Sequence, residues 1–562
     1  MKKTILFILI NLILFSISNA ENIRIHFLYS NDVHGGIDEV PATFMNPEYP
    51  PLLGGGASAA AYIKQVRKNA RQNNEAVLLI DQGDIYTGHP IGTISKGRAI
   101  IKFMNMMNYD LMTLGNHEFD IPLDELKETL SLAEFPILSA NIIVKDTGEL
   151  MPPCKPYIIK EVNGVKIAII GLTTTDTEKM TNPDNVKGLK FLPPADVLPK
   201  YIKEVKDKGA DLVVVSGHLG IPYDAMASYK RDIVQGHVFD EYRAWGDNAQ
   251  QLAYKVPGID IMFAGHIHVG YKKPWEDPNT HTLIFQNYAY GSNIGHVIIE
   301  VNKETKTIAG YELPAYIDGS LITLLADEQI PDSVVRAKIK AMQDEAEKGM
   351  DEIIGISTMY LTRSGSGAQS PLGNLVLDAM KEEVGADFAF LNLGGIRADI
   401  DKGPVTYREI FDVLPFTSQI VTLNISGALL KKIIEVRVSY THHGLRISGG
   451  EVVYNTTLPN FERVTSLKIG GEYWNPNKIY KVATTDFLLQ GNASLTLLTR
   501  VPEEQIEYNY IVLRDALANY FRKHSPVSAS IDNRWKKDDN SKLTPEMEKA
   551  LEQMDVEKYN NF

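Results

Sequence analysis

Five short stretches in the first half of the chain carry side chains of the kind that bind metal ions. They are Asp32-Val33-His34, Gly83-Asp84, Gly115-Asn116-His117-Glu118, His218 and Gly265-His266-Ile267-His268. With His117 set apart, they supply seven donors: Asp32, His34, Asp84, Asn116, His218, His266 and His268. Seven oxygen and nitrogen donors without a thiolate are too many for one ion and suit two ions that share a carboxylate. Two divalent cations roughly 3.5–4 Å apart clamp the attacking and leaving oxygens of a displacement at phosphorus, so the chemistry indicated is phosphate-ester hydrolysis. Imidazole, carboxylate and amide oxygen suit Zn, Mn, Fe or Co comparably, and the metal stays open. His117 stands outside the donor set as a residue that can face a substrate, with Asp120 holding its ring in position.

The stretches fall where strands should end. Ile23–Ser30 alternates apolar and polar residues, and Val77–Ile80, Leu111–Leu114, Ala168–Gly171, Leu212–Ser216 and Ile261–Ala264 are short apolar runs that stop at or near Gly, Asp or His. Such runs read as buried strands, while Ser58–Arg71, Ala99–Met107 and Ala195–Lys208 have the spacing of amphipathic helices. Asn163-Gly164 between two apolar runs is a hairpin signal. The alternation predicts an α/β layered sheet with ligands at its strand ends.

The chain has 562 residues, enough for several domains, with 44% hydrophobic and 23% charged residues. Its net charge of −13 argues against a nucleic-acid partner, but not against a small anionic substrate held by local cations. Lys2 and Lys3, an apolar run over Ile5–Ile17 and Ser18-Asn19-Ala20 predict a signal peptide over residues 1–20 and a periplasmic or secreted protein without a stable membrane span. Cys154 is the only cysteine, so no internal disulfide forms, and it is expected to be a buried thiol. The domains expected are a metal-binding domain over 21–330, a connecting helix over 331–350, a second α/β domain over 351–537 and a polar tail over 538–562. In the second domain Leu372–Met380 and Ala428–Val436 read as helices, and Phe388–Leu391, Ile420–Leu423 and Val482–Thr485 as strands.

The order D-x-H, GD, GNHE, H, GHxH across residues 22–316 resembles that of the calcineurin-like metallophosphoesterases. The resemblance implies a four-layer αββα sandwich. Asp84 would bridge two ions, with Asp32, His34 and His268 at one, Asn116, His218 and His266 at the other, and a bridging water or hydroxide as nucleophile. His117, backed by Asp120, would stabilise the transition state or help the leaving oxygen depart.

Further along, Gly394-Gly395-Ile396-Arg397 follows a strand and can place a guanidinium on a phosphate, and Leu414-Pro415-Phe416 presents an aromatic ring for a nucleobase. With Ser370-Pro371-Leu372-Gly373-Asn374-Leu375, these blocks resemble the substrate-binding domain of 5′-nucleotidases and UDP-sugar hydrolases. That resemblance implies nucleotide contacts from Asn392, Gly394 and Arg397 and a base sandwiched by Phe416 and Phe487. Where the family has a Gly-Gly-Asp-Gly-aromatic block, this chain has Gly491-Asn492-Ala493-Ser494-Leu495, so Asn492 is a candidate replacement for the carboxylate. Arg363 is the candidate for a second phosphate-binding arginine. The function implied is hydrolysis of nucleoside 5′-monophosphates. UDP-sugar or 2′,3′-cyclic nucleotide hydrolysis is the alternative within the enzyme class, and a non-catalytic surface binding protein is the alternative outside it. Nothing in the sequence sets the oligomeric state.

Overall fold

The computed structural model describes residues 22–42, 45–46, 48–234, 247–416, 418–439, 444–491, 493–532 and 534–554. The signal peptide expected over residues 1–20, the end of the tail and Asn492 lie outside the described residues. The chain forms two compact units whose main division falls between Gln343 and Asp344, within the Ser333–Ala346 helix.

The first unit is built on two sheets. One runs in the order Ile308–Glu312, Asn293–Val301, Ile23–Ser30, Ala76–Asp81, Leu111–Thr113, Ile137–Leu138, with Leu321–Thr323 also paired to Asn293–Val301. The other runs Trp275–Glu276, Leu283–Gln286, Ile261–Ala264, Leu212–His218, Val165–Thr173, Tyr157–Val162. Phe27, Ile80 and Leu111 of the first sheet meet Ile169, Val214 and Phe263 of the second in one buried layer. The second sheet's other face packs Val213 and Met262 against Leu198 and Val205 of the Pro194–Asp207 helix and Leu252 of the Ala249–Lys255 helix. The Gly55–Gln72 helix covers the first sheet's outer face. Strands with both faces covered are mostly apolar, which is why runs such as Leu212–Ser216 and Ile261–Ala264 show little alternation, while Ile23–Ser30 keeps polar residues on its outer face. The Tyr157–Val162 and Val165–Thr173 strands pair antiparallel around Asn163-Gly164.

Strand direction places the chemistry. Ile23–Ser30, Ala76–Asp81 and Leu111–Thr113 are mutually parallel, as are Leu212–His218 and Ile261–Ala264. The loops that follow them leave from common sheet edges, where an open α/β sheet collects its ligands.

The second unit holds a five-stranded sheet in the order Arg446–Ser448, Phe388–Leu391, Ile479–Thr485, Gln419–Ser426, Ile506–Val512, packed by the Pro371–Val384, Gly427–Ser439 and Leu513–His524 helices. A four-stranded sheet of Glu472–Tyr473, Val464–Ile469, Gly450–Tyr454 and Trp535–Lys537 joins the same core and was not anticipated. The described part of the tail is no loose end: the Pro545–Glu552 helix docks Met547 and Ala550 into that core. Cys154 closes a surface turn in which its N–H donates to Met151 O, so the residue is partly exposed, while burial of its thiol pushes the pKa up to about 12. Among the described residues no helix is long and apolar enough to cross a membrane.

On the outer side of the first sheet a hydrogen-bonded chain joins a carboxylate, two imidazoles and a phenol. Glu75 Oε2 lies 2.7 Å from His26 Nε2, His26 Nδ1 2.9 Å from His296 Nε2, and His296 Nδ1 2.8 Å from the Tyr62 hydroxyl. A neutral His296 ring, accepting from the Tyr62 hydroxyl at Nδ1 and donating to His26 at Nε2, has a partner at each nitrogen. Burial, and then the neighbouring His26, lowers the His296 pKa from 6.5 to about 3. The unfolded chain therefore takes up a proton that the folded one refuses, and stability falls as pH drops below about 6.5, by roughly 1.4 kcal/mol per pH unit. Replacing His296 by Gln is expected to flatten this dependence by about one proton between pH 6.5 and pH 5, read from urea unfolding at a series of pH values. An unchanged slope would contradict the assignment.

Candidate functional site

The seven donors do converge. Asp32, His34 and His268 form one group and Asp84, His218 and His266 a second, the ligand atoms within each lying within 4.8 Å of one another. Asn116 joins the second group, its Oδ1 standing 3.1 Å from His218 Nε2. Asp32, His34, Asp84, Asn116 and His218 are buried, while His266 and His268 are partly open.

Backbone conformation brings this about. Asp32, His34, Asp84, His266 and His268 all lie in the left-handed region, with φ of 51°, 48°, 58°, 77° and 59°. That region costs an L-residue roughly 1–2 kcal/mol, so five occurrences at one site mark a framework that imposes them. Gly83 shows how tight it is: at φ 88° a Cβ would stand 2.3 Å from Gly115 N, so only glycine lets these two loops touch.

Three groups around the donors went unassigned in the sequence. The buried Glu118 carboxylate accepts from the backbone N–H of Asp84 (3.0 Å), Ile85 (2.8 Å) and Gly115 (2.6 Å), and so ties the two loops together. Asp81 accepts from Gly83 N at 2.8 Å and from Ser30 Oγ at 2.6 Å. Asn31 donates to Asp32 Oδ2 at 2.6 Å and accepts from Asn287 N at 3.0 Å. Glu118 was visible inside Gly-Asn-His-Glu, but its partners 33 and 34 residues upstream were not.

The donor chemistry fits cations. His34 Nδ1 is engaged by Thr87 O and His218 Nδ1 by Gln82 O at 2.7 Å, which leaves each Nε2 to present a lone pair inward. His34 Nε2 faces His268 Nε2 at 3.0 Å, and His218 Nε2 faces Asp84 Oδ2 at 3.0 Å. Acceptors at these separations need a shared proton, or a metal ion at one side to which both turn. Burial lowers the His218 pKa, but Asp84, with Asp32 and Glu118, overrides it and lifts the ring to about 9. The Asp84 carboxyl, for which burial works upward, is held well below its usual range by His218 and His117. Burial and the neighbouring imidazoles, His268 for one and His218 for the other, push His34 and His266 down to about 3, the neutral state that ligation requires.

His117 sits beside this set. Its ring is edge-on to His34 with centroids 5.3 Å apart, its backbone N–H donates to Asp84 Oδ1 at 2.7 Å, and its Nδ1 lies 2.7 Å from Asp120 Oδ2. Thr87 Oγ1 donates to the same Asp120 oxygen at 3.2 Å.

In the second unit, Asn392 follows Leu391, Phe416 precedes the Gln419–Ser426 strand and Phe487 follows Thr485. Ile420 pairs with Thr485, and Phe388 runs parallel to Val482, so all three positions leave one end of the five-stranded sheet. The exposed Arg397 guanidinium lies 5.6 Å from the Phe416 ring centroid and donates to Gly394 O at 3.3 Å. Arg363 donates to Arg397 O through Nη1, and its own carbonyl accepts from the buried Arg446 at 3.1 Å. Arg446 was not foreseen.

A two-sheet sandwich with two adjoining oxygen and nitrogen donor groups at its strand ends defines a metal-dependent phosphoesterase domain. Residues 25–270 match the family described as calcineurin-like phosphoesterase, and residues 352–500 match the 5′-nucleotidase C-terminal domain. The chain is 28% identical to a Yersinia enterocolitica protein named UshA and 28% identical to a 5′-nucleotidase of Vibrio cholerae, in each case over 90% of this chain and 92% of the relative. A 5′-nucleotidase precursor from Thermus thermophilus shares the fold, with a TM-score of 0.62 at 24% identity over 92% of this chain and 99% of that one. The chain thus belongs to the 5′-nucleotidase family, in which a calcineurin-like phosphoesterase domain precedes a 5′-nucleotidase C-terminal domain. It is a phosphoric ester hydrolase, and the dinuclear metal centre of calcineurin-like phosphoesterases matches the two donor groups.

Glu118 offers a direct check on the framework. Replacing it by Ala leaves three backbone N–H groups without their acceptor and is expected to cost roughly 2–4 kcal/mol in urea unfolding. A loss under about 0.5 kcal/mol, the range of an ordinary surface change, would show that the loops hold without it.

Proposed function

We propose that this chain is an exported 5′-nucleotidase that hydrolyses nucleoside 5′-monophosphates to nucleoside and phosphate. The observation that carries the reading is the convergence of Asp32, His34 and His268 beside Asp84, His218 and His266. In this assignment the first three residues hold one ion, the last two hold the other with Asn116, and Asp84 is shared. Bound there, two divalent ions supply Lewis-acid neutralisation of the phosphoryl oxygens and acidify water to the point of nucleophilicity at neutral pH. The remaining work falls to the protein. Asp120 accepts from His117 Nδ1 and fixes the ring, so the opposite nitrogen can hold a proton toward the departing ribose oxygen.

Recognition of the nucleoside is assigned to the second unit. Phe416 and Phe487 offer ring faces to the base. Arg397, Asn392 and the Gly394 backbone offer hydrogen bonds to phosphate and ribose, with Arg363 supporting Arg397. The Arg397–Phe416 contact and the common sheet end of Asn392, Phe416 and Phe487 support this part. Export rests on the charged and apolar start of the sequence, which predicts a periplasmic or secreted protein.

The test is phosphate release from AMP by metal-loaded protein, with UDP-glucose and a 2′,3′-cyclic nucleotide in parallel and each reaction repeated in chelator. Chelator-sensitive release that is fastest from AMP is expected. Turnover of UDP-glucose alone, or of nothing, would overturn the reading. Replacing His117 by Asn is expected to lower kcat by about 10²–10⁴-fold with both ions retained; loss of an ion would make His117 a ligand. Replacing Phe416 by Ala removes a stack of about 1–3 kcal/mol, so KM for AMP is expected to rise roughly tenfold while KM for a small aryl phosphate is unchanged. Equal effects on the two substrates would remove Phe416 from base recognition.

A further inference from the structure

Tyr290 touches every member of the first donor group. Its ring centroid lies 5.3 Å from that of His34, tilted by 31°, and 5.4 Å from that of His268, edge-on at 84°. Its backbone N–H donates to Asp32 O at 2.8 Å. Like the donors themselves it sits in the left-handed region, with φ 60°. Its loop has no slack: a Cβ on Gly36, two residues after His34, would stand 2.3 Å from Tyr290 O, and one on Gly291 would stand 1.7 Å from Gly36 O. Backbone therefore lies directly against backbone, and the tyrosine cannot shift without moving the segment that carries His34.

His89 adds a further ring to the cluster. It is stacked on Tyr290 at 30° with centroids 6.3 Å apart, its Nδ1 lies 2.8 Å from Asp38 Oδ1, and its backbone N–H donates to His34 O at 2.7 Å. Asp38 is itself buried, so the pair is a fixed element rather than a solvated side chain. Imidazole rotation about the Cβ–Cγ bond is soft, so besides the hydrogen bond from His34 Nδ1 to Thr87 O, a ligand ring stays aimed where neighbours fill the space it would turn into.

We infer that Tyr290, held by the His89–Asp38 pair, is a positioning residue that sets the ion affinity of the Asp32–His34–His268 group. The inference rests on the two-ion reading and adds a reason for the two groups to differ in affinity. Groups behind metal ligands contribute 10–100-fold in affinity when they orient the ligand rings, and an aromatic wedge touching two imidazoles acts in that way.

The experiment titrates metal-free full-length protein with manganese or zinc by calorimetry. Wild type is expected to take up two ions. Tyr290→Leu and His89→Ala should each weaken one of them by about 10–100-fold and leave the other unchanged. Tyr290→Phe, which keeps the ring, should titrate like wild type. In a His34→Ala background, where the first group is already broken, Tyr290→Leu should have no further effect on the remaining ion. Should Tyr290→Leu lose its folded circular dichroism, His89→Ala carries the comparison. Two ions bound with unchanged affinity in these variants, or weakened equally, would overturn the inference alone. A wild-type chain that takes up fewer than two ions would overturn it together with the two-ion reading.

Discussion

An imidazole whose Nδ1 is engaged by a backbone carbonyl can present only its Nε2 lone pair to its other side. In this protein His34 and His218 are fixed in that way, and their lone pairs point at His268 Nε2 and Asp84 Oδ2, each 3.0 Å away. Such pairs can share a proton between them or both turn to a metal ion at one side, and the burial of Asp32 and Asp84 leaves little water to screen the charge. Without ions, His218 must hold its proton up to about pH 9 to satisfy Asp84. Asp84 and His218 would hold a divalent ion where they now share that proton, so ion uptake at this group would release it.

Much of the surrounding structure answers to that constraint. Five donors in left-handed backbone could not persist in loops free to relax, and the loops are not free. Glu118 fastens the Asp84 loop to the Gly115 loop, Asp81 secures Gly83, and Asn31 joins Asp32 to Asn287. Glycine at 36, 83 and 291 permits approaches that any side chain would block. These contacts cost conformational freedom, and the interior shared by two sheets, with Phe27, Phe263 and Val214 buried between them, offsets that cost.

How legible this was depended on the distance over which each residue acts. The donors stood out because each follows an apolar run, and a run that stops at Asp, Gly or His is a local signal. The Ile23–Ser30 and Ile261–Ala264 strands follow from the same patterning at the bounds read from sequence. The grouping of the donors into two sets came from family resemblance, and the geometry is compatible with it. Glu118 acts on amides 33 and 34 residues away, and Tyr290 lies behind His34 only because the Asn293–Val301 strand returns beside Ile23–Ser30. No pattern local to either residue announces such a role. The four-stranded sheet of the second unit escaped notice although Val464–Ile469 alternates, because its Glu472–Tyr473 and Trp535–Lys537 strands are short and largely exposed. Arg446 reads as an ordinary charged residue until the fold buries it beneath Arg363.

The most direct test of the central claim is an anomalous difference map from crystals of metal-loaded protein, recorded at the absorption edge of the bound metal. The account predicts two peaks per chain, one among Asp32, His34 and His268, the other among Asn116, His218 and His266, with Asp84 reaching both. A single peak, or ions held elsewhere while these side chains retain hydrogen bonds to one another, would contradict it.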